Sequence, residues 1–281
     1  MMNFGILKYS DRKSLSPDLH RYFMERLGIE GEFKTLSVPP DELESFILRI
    51  RDNSLDGFSV TLPHKEKIIQ YLDELTPEAK AIGAVNTVAV REGKLIGHNT
   101  DLIGFRKALN ELGTNIEENE VLLFGAGGAA RAVVYSLCAM NVSVIYVMNR
   151  TLKHAESLSE LFHKSNNTKL IVVKERDSLS EEIKLAINAL CYGVFQPELL
   201  SNLPNLELLY DLNYGANALD PSILNGSFRY SEGMSMLVHQ GFESLKFWMQ
   251  KDLPDDGLTD SAIKKLHGVT ESELYQISYS R

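Results

Sequence analysis

The sequence predicts an α/β protein in two parts, an N-terminal α/β domain followed by a Rossmann-type, doubly wound unit. Three observations lead there. Short apolar runs alternate with helical patterns up to about residue 105. The apolar run Val121-Leu122-Leu123-Phe124 then breaks into Gly125-Ala126-Gly127-Gly128-Ala129 and resumes as an apolar helix to Met140, the pattern of strand, tight turn and helix. A further run, Val142 to Met148, supplies a second strand and completes a βαβ unit.

Taken in order, Asn3 to Leu7 reads as a strand and Lys8 to Leu15 as a polar loop. Ser16-Pro17 predicts a helix start with Ser16 as N-cap and Pro17 in the first turn, Leu19, Phe23, Met24 and Leu27 as its apolar residues, and Gly28 closing it. Glu32 to Val38 predicts a strand, Pro39-Pro40 a break, and Asp41 to Arg51 a helix whose Leu43, Phe46, Ile47 and Ile50 share an inner face. Gly57 to Leu62 predicts a strand stopped by Pro63, with a helix over His64 to Gln70. Thr61 and Lys65 then flank a strand-to-helix junction, where open α/β sheets assemble sites.

Thr76-Pro77-Glu78 starts a short helix that Gly83 ends. Ala84 to Val90 pairs with Lys94 to His98 through the turn Arg91-Glu92-Gly93, and Asn99-Thr100-Asp101 caps a helix from Leu102 to Leu112. Beyond the βαβ unit the pattern predicts a helix over Leu152 to Phe162 and strands near Leu170 to Val173, Leu185 to Leu190 and Leu206 to Leu212. Gly226 to Glu232 reads as a polar loop and Met234 to Met249 as a helix. Gly268 separates two final short helices, the second opened by the capping-box spacing Thr270-Glu271-Ser272-Glu273.

The 281 residues are 44% hydrophobic, enough for one large or two ordinary cores. A formal net charge of -9 argues against a general affinity for nucleic acid or anionic membranes. The two cysteines, Cys138 and Cys191, form no CxxC, and the seven histidines are scattered, so neither a disulfide framework nor a metal centre is expected. With no long apolar segment near Met1 and no run approaching the ~20 residues of a membrane span, the expected location is the cytoplasm.

The glycine cluster carries the first chemical reading. Gly125 permits the turn, Gly127 lets backbone N–H groups approach a pyrophosphate, and Ala130 is small enough for close helix–strand packing, with the helix N-terminus facing the anion. Where an enzyme selective for NAD places an acid on the ribose 2′-hydroxyl, this chain has Asn149-Arg150-Thr151, with Lys153 and His154 close behind. An arginine there suits a 2′-phosphate through charge-assisted hydrogen bonds, which favours NADP over NAD; an isolated arginine would be read as a solvated strand-end charge. Ser14 and Ser16 fit a helix start, and the same hydroxyls and N–H groups can receive a carboxylate.

These residues together resemble one family. In order, the matching pieces are Ser14-Leu15-Ser16-Pro17, Gly57 to Lys65, Gly83-Ala84-Val85-Asn86-Thr87, Gly97 to Gly104, the Gly125 turn, Asn149-Arg150-Thr151, and Met236-Leu237-Val238-His239-Gln240. The chain resembles the shikimate dehydrogenase family over nearly its full length. The resemblance implies a substrate domain over residues 1–103, completed by C-terminal helices over 234–281, and an inserted NADP-binding Rossmann domain over 104–233, with the active cleft where the two face each other. It implies reversible, NADPH-dependent reduction of 3-dehydroshikimate to shikimate on the route to aromatic amino acids. Lys65 and Asp101 would form the catalytic pair, Ser14 and Ser16 would hold the substrate carboxylate, and Thr61, Asn86, Gln240 and Tyr214 would complete the substrate set. Gly125, Ala126, Gly127, Gly128, Ala129, Asn149, Arg150, Thr151, Lys153, Asn188 and Gly233 would serve the cofactor.

The chain also departs from the family pattern. Lys8-Tyr9-Ser10 stands where a Gly-x-Pro turn is usual, Ser59 where Asn is usual, and His154 at a usual second Arg. The nicotinamide loop, Ile187 to Val194, keeps Asn188 and Gly193 but carries Leu190, Cys191 and Val194 where the family has other residues. Two alternatives therefore stay open: a paralogue acting on quinate or a related hydroxylated cyclic acid, and a non-catalytic NADP-binding sensor. Small molecules are the expected partners, and the protein is expected to be a monomer or homodimer.

Overall fold

The computed structural model describes residues 1–10, 13–51, 54–163, 168–174, 179–191, 194–201 and 203–268. Gly193 and the capping-box segment from Thr270 lie outside them. The described chain divides into two compact units, one of Met1–Gly104 with the residues from Leu237 onward, the other Phe105–Met236. None of the helices in the described residues is long and apolar enough to cross a membrane.

The first unit contains β1 (Met2–Lys8), α1 (Ser16–Arg26), β2 (Gly31–Ser37), α2 (Leu43–Ile50), β3 (Gly57–Val60), β4 (Glu74–Leu75), α3 (Pro77–Ile82), β5 (Thr87–Arg91) and β6 (Lys94–His98). Its sheet runs β2-β1-β3-β5-β6-β4. β1 pairs parallel with β2 and β3, whereas β5 is antiparallel to both β3 and β6. The hairpin turn places Glu92 at φ 51° and Gly93 at φ 76°, the left-handed pair that suits the twist of two antiparallel strands. Thr76 accepts from the Ala79 N–H and Gly83 ends α3 at φ 66°, so both ends of this six-residue helix are fixed by local chemistry.

α2 buries Leu43, Phe46, Ile47 and Ile50 against one face of that sheet, in a core with Leu7, Phe58, Ile68, Val88 and Leu95. Aromatic rings pack elsewhere in the unit, with helix α7 (Met234–Met249) taking part. The Trp248 ring stacks on Phe4 at 4.9 Å and lies over Gly57, where a Cβ would come within 2.4 Å of the indole. His20 of α1 stacks on Phe33 at 4.5 Å with planes 6° apart. Its ring nitrogens have no hydrogen-bond partner among the described residues, and burial pulls the imidazole down to about 3.

The second unit contains most of α4 (Asp101–Glu111), then β7 (Glu120–Phe124), α5 (Gly128–Ala139), β8 (Val144–Met148), α6 (Leu152–Phe162), β9 (Lys169–Val173), β10 (Ile183–Asn188), β11 (Leu208–Asp211) and β12 (Arg229–Glu232). Its sheet order is β12-β11-β10-β7-β8-β9, and every pairing is parallel. The order reverses between β7 and β10, the switch point of a doubly wound sheet, where a crevice opens beyond the carboxyl ends of the strands. α8 (Leu258–His267) follows α7 and ends at Gly268, φ 70°.

Three local expectations are corrected. Ser16 is the first residue of α1 and not its N-cap; Leu15 holds that position, and Ser14 Oγ accepts from the Ser16 N–H at 3.2 Å. The segment after Pro63 is no α-helix. His64 is buried with Nε2 2.9 Å from the Val38 carbonyl, which ties the chain down, and only Lys67–Tyr71 winds, as a 3-10 helix. Residues Arg229–Glu232, read as loop, form edge strand β12. Its polar side chains hide the strand, because an edge needs backbone pairing on one side only and little apolar surface.

Candidate active site and nucleotide site

In the first unit, β3 and β6 end, and β5 begins, at the same edge of the sheet, because both neighbours run antiparallel to β5. That edge gathers Lys65, Asn86 and Asp101. The Val85 N–H donates to the Lys65 carbonyl at 2.8 Å, fixing the Lys65 backbone beside the approach to β5. Asn86 continues the ladders: its carbonyl accepts from Val60 and its N–H donates to the His98 carbonyl. Asp101 opens α4, with its N–H donating to Asn99 Oδ1 at 3.1 Å and Asn99 Nδ2 donating to the Ala84 carbonyl at 2.9 Å. A carboxylate in the first turn is favoured by the helix dipole.

Lys65 Nζ donates to Asp101 Oδ2 at 2.6 Å, with side-chain exposures of 14% and 6%, so solvent screens the pair little. Asn86 Nδ2 lies 2.8 Å from Asp101 Oδ1, 2.9 Å from Thr100 Oγ1 and 3.2 Å from Gln240 Oε1. An amide nitrogen has two hydrogens, so these acceptors compete, and the longest contact, to Gln240, is the one a ligand hydroxyl can replace most readily. Gln240 comes from α7 and anchors its Nε2 on the Leu237 carbonyl at 2.8 Å. Thr100 locks the network from beneath: its N–H donates to Asn86 Oδ1 at 2.8 Å, and its hydroxyl lies 2.9 Å from Ser244 Oγ.

Lys65, Asn86, Asp101 and Gln240 are thus brought together. Thr61 stands in the turn that leads to Lys65, with its N–H on the Leu7 carbonyl and its own carbonyl accepting from His64. Ser14 and Ser16 sit at the start of α1 with hydroxyls 3.2 Å apart. Beside them is a hollow of about 470 Å³ lined by Lys8, Lys13, Ser14, Pro17, Asp18, Arg21 and Thr35, a cation-rich lining suited to an anionic group. Thr100 and Ser244 were missed by sequence reasoning. Thr100 reads only as part of a helix cap, and Ser244 reaches it across 144 residues. Tyr214 is half-buried beyond β11 and belongs to the second unit, not to the one that carries Lys65.

In the second unit the glycine turn joins β7 to α5. Gly125 takes φ +109°, its N–H donates to the Met148 carbonyl, and a Cβ there would stand 3.0 Å from the Ala189 backbone. Ala126 and Gly128 are buried, Ala129 half-buried and Gly127 exposed. A Cβ on Gly127 would meet no atom within 4 Å, and no side chain caps the start of α5. An open space over uncapped helix N–H groups is a cradle for a pyrophosphate. Beyond β8, Asn149 Nδ2 donates to the Thr151 carbonyl at 2.8 Å, and exposed Arg150 and Lys153 flank the start of α6. The turn and this cationic corner fit a dinucleotide carrying a 2′-phosphate.

Asn188 and Gly233 occupy strand ends of the same unit. Asn188 is buried, with Nδ2 on Asp211 Oδ1 at 2.8 Å and Oδ1 accepting from the Leu190 N–H at 3.1 Å. Gly233 donates its N–H to the Asn213 carbonyl, and a Cβ would lie 2.5 Å from the Leu212 carbonyl oxygen, so close approach of backbones accounts for glycine there. Among the described residues, no group of three His, Cys, Asp or Glu side chains is placed to hold a metal ion.

Comparison with known proteins identifies relatives over nearly the whole chain. Residues 9–88 match the family described as shikimate dehydrogenase substrate binding domain, and residues 106–191 the family described as shikimate / quinate 5-dehydrogenase. The shikimate dehydrogenase (NADP(+)) of Staphylococcus aureus strain MRSA252 is 32% identical over 274 residues, covering 95% of this chain and all of the relative. Among solved structures, shikimate 5-dehydrogenase of Thermus thermophilus in complex with NADP(H) and shikimate superposes with a TM-score of 0.79 at 31% identity, covering 94% of this chain and 99% of that one. Shikimate dehydrogenase of Aquifex aeolicus gives a TM-score of 0.81 at 28% identity, covering 94% and 97%.

Proposed function

The chain belongs to the shikimate dehydrogenase family, and we propose that it reduces 3-dehydroshikimate to shikimate reversibly with NADPH, with Lys65 and Asp101 as its acid–base pair. The main support is the 2.6 Å contact between those two side chains, closed by Asn86 and Gln240. Bound NADPH supplies a hydride to the ketone carbon. Negative charge then develops on the ketone oxygen, and the Lys65 ammonium is the donor that can discharge it. Asp101 holds that ammonium in one orientation while its other oxygen is held by the Asn86 amide, so the pair enters the reaction already aligned. In the reverse direction neutral Lys65 takes the proton from the substrate hydroxyl.

Ser14 and Ser16 would receive the substrate carboxylate beside the cationic hollow. Thr61, Asn86 and Gln240 would take ring hydroxyls; Tyr214 joins the substrate set on the family resemblance alone. Gly125 to Ala129 would hold the pyrophosphate and Asn149, Arg150, Thr151 and Lys153 the 2′-phosphate, with Asn188 and Gly233 shaping the strand ends beside them. On the same reading the protein works in the cytoplasm as a monomer or homodimer whose partners are small molecules. The test is to mix the purified protein with 3-dehydroshikimate and NADPH and follow reduced-cofactor absorbance. Tight NADPH binding without turnover would point to a sensor. Because one matched family is described as acting on shikimate or quinate, a parallel assay with quinate and both oxidised cofactors separates the paralogue reading.

A further inference from the structure

Asp211 is fully buried at the carboxyl end of β11, and burial pushes its carboxyl up from the usual range. Its Oδ1 accepts from Asn188 Nδ2 at 2.8 Å and from Asn213 through both N–H at 3.1 Å and Nδ2 at 2.8 Å. Its Oδ2 accepts from the Leu219 N–H at 2.9 Å and the Tyr230 hydroxyl at 3.3 Å. One carboxylate therefore ties the end of β10 to the segment that follows β11 and to the second residue of β12. The consequence runs outward through Asn188. With its Nδ2 held by Asp211, the Asn188 Oδ1 is turned to the Leu190 N–H, while Asn213 Nδ2 takes the Leu190 carbonyl at 3.0 Å. Both polar backbone groups of Leu190 are thus fixed, and the preceding Ala189 backbone abuts Gly125, where a Cβ would stand 3.0 Å away.

The loops after β7 and β10 are the two walls of the crevice at the switch point. With the pyrophosphate on the β7 turn and the 2′-phosphate at Arg150 beyond β8, the other half of a dinucleotide must lie toward β10. We propose that Asp211 is a positioning residue for the nicotinamide half of the cofactor, acting through Asn188 to hold Leu190, and with it the loop after β10, beside the glycine turn. This rests on the NADP reading. The Asn188 side chain, with both ends engaged inside the protein, then acts by setting the loop and not by touching the ligand.

The test compares wild type with Asp211→Asn, Asn188→Ala and the double variant, reading affinity for NADPH, affinity for adenosine 2′,5′-bisphosphate, and amide exchange at Ala189 and Leu190 in the cofactor-free protein. Asp211→Asn keeps the volume but turns one acceptor into a donor facing the Leu219 N–H and Tyr230 hydroxyl, or the Asn188 and Asn213 amides. Asn188→Ala removes only the intermediary and serves if the first variant does not fold. Expected are faster exchange at Leu190, whose N–H Asn188 holds, little change at Ala189, whose N–H donates to the Phe124 carbonyl, NADPH affinity weakened about tenfold, and affinity for the bisphosphate unchanged. The double variant should be no worse than the worse single one, since both act along one path. Equal loss of both ligands would make Asp211 a general support of the unit and overturn the proposal, as would unchanged NADPH affinity and exchange. Failure of the wild-type protein to bind either ligand would instead overturn the NADP reading itself.

Discussion

Lys65 Nζ stands 2.6 Å from Asp101 Oδ2, and the second oxygen of that carboxylate faces the Asn86 amide at 2.8 Å. The lysine is thereby aimed, not merely neutralised. Replacing Lys65 by Ala should lower kcat by roughly 100- to 10,000-fold, the usual contribution of a placed acid–base group, with NADPH binding retained. Asp101→Asn should lower kcat less than Lys65→Ala, because the ammonium survives without its orienting charge. Near-normal turnover in Lys65→Ala would remove that side chain from the chemistry.

Gly125 and Gly127 differ in kind. At Gly125 a side chain meets both a left-handed backbone and the Ala189 main chain, whereas at Gly127 it meets nothing in the protein. Gly127→Ala should therefore leave thermal unfolding within about 0.5 kcal/mol of wild type while sharply weakening NADPH. Unchanged NADPH affinity in a folded Gly127→Ala would mean that the open space is not where the pyrophosphate lies.

Arg150 marks the choice of cofactor. Charged hydrogen bonds to a phosphate contribute about 1.5–3 kcal/mol, so Arg150→Ala should raise KM for NADPH roughly ten- to a hundredfold and leave that for NADH little changed. Equal losses with the two cofactors would assign Arg150 to something other than the 2′-phosphate.

His20 should make the fold acid-sensitive. Its folded value, about 3, lies below its ordinary 6.5, so below that ordinary value the unfolded chain takes up a proton that the folded chain refuses. The stability this group contributes is complete above about pH 6.5 and declines as pH falls toward about 3. Between pH 6.5 and 5 the loss should be about 2 kcal/mol. His20→Phe, which keeps an aromatic ring beside Phe33, should show a shallower decline in urea-unfolding free energy over that interval; an identical decline would show that His20 does not set it.

Much of this was written locally. The glycine turn, the Thr76 cap with Gly83, and the apolar face of α2 each follow from residues within a few positions of one another, and each is where the sequence puts it. Lys65 and Asp101 could be paired in advance only through a family resemblance, because no local rule joins a turn after Pro63 to the first residue of α4. The same holds for Asn86 and Gln240, which meet across 154 residues. β12 escaped notice because Arg-Tyr-Ser-Glu has no apolar alternation; its strand character comes from the β11 backbone beside it. Asp211 is inconspicuous in the sequence for a related reason: its partners Asn188 and Tyr230 come from two separate strands.

The first unit is split in sequence, and Trp248 of α7 lies against Gly57 of β3. As the polypeptide leaves the ribosome, residues 105–236 can close their own core, while the earlier-made segment still lacks the indole that covers it. Nascent chains stalled once Met236 has cleared the ribosome, with Trp248 still inside it, should therefore expose apolar surface mainly from the opening hundred residues, making that segment the natural client of chaperones until the tryptophan emerges.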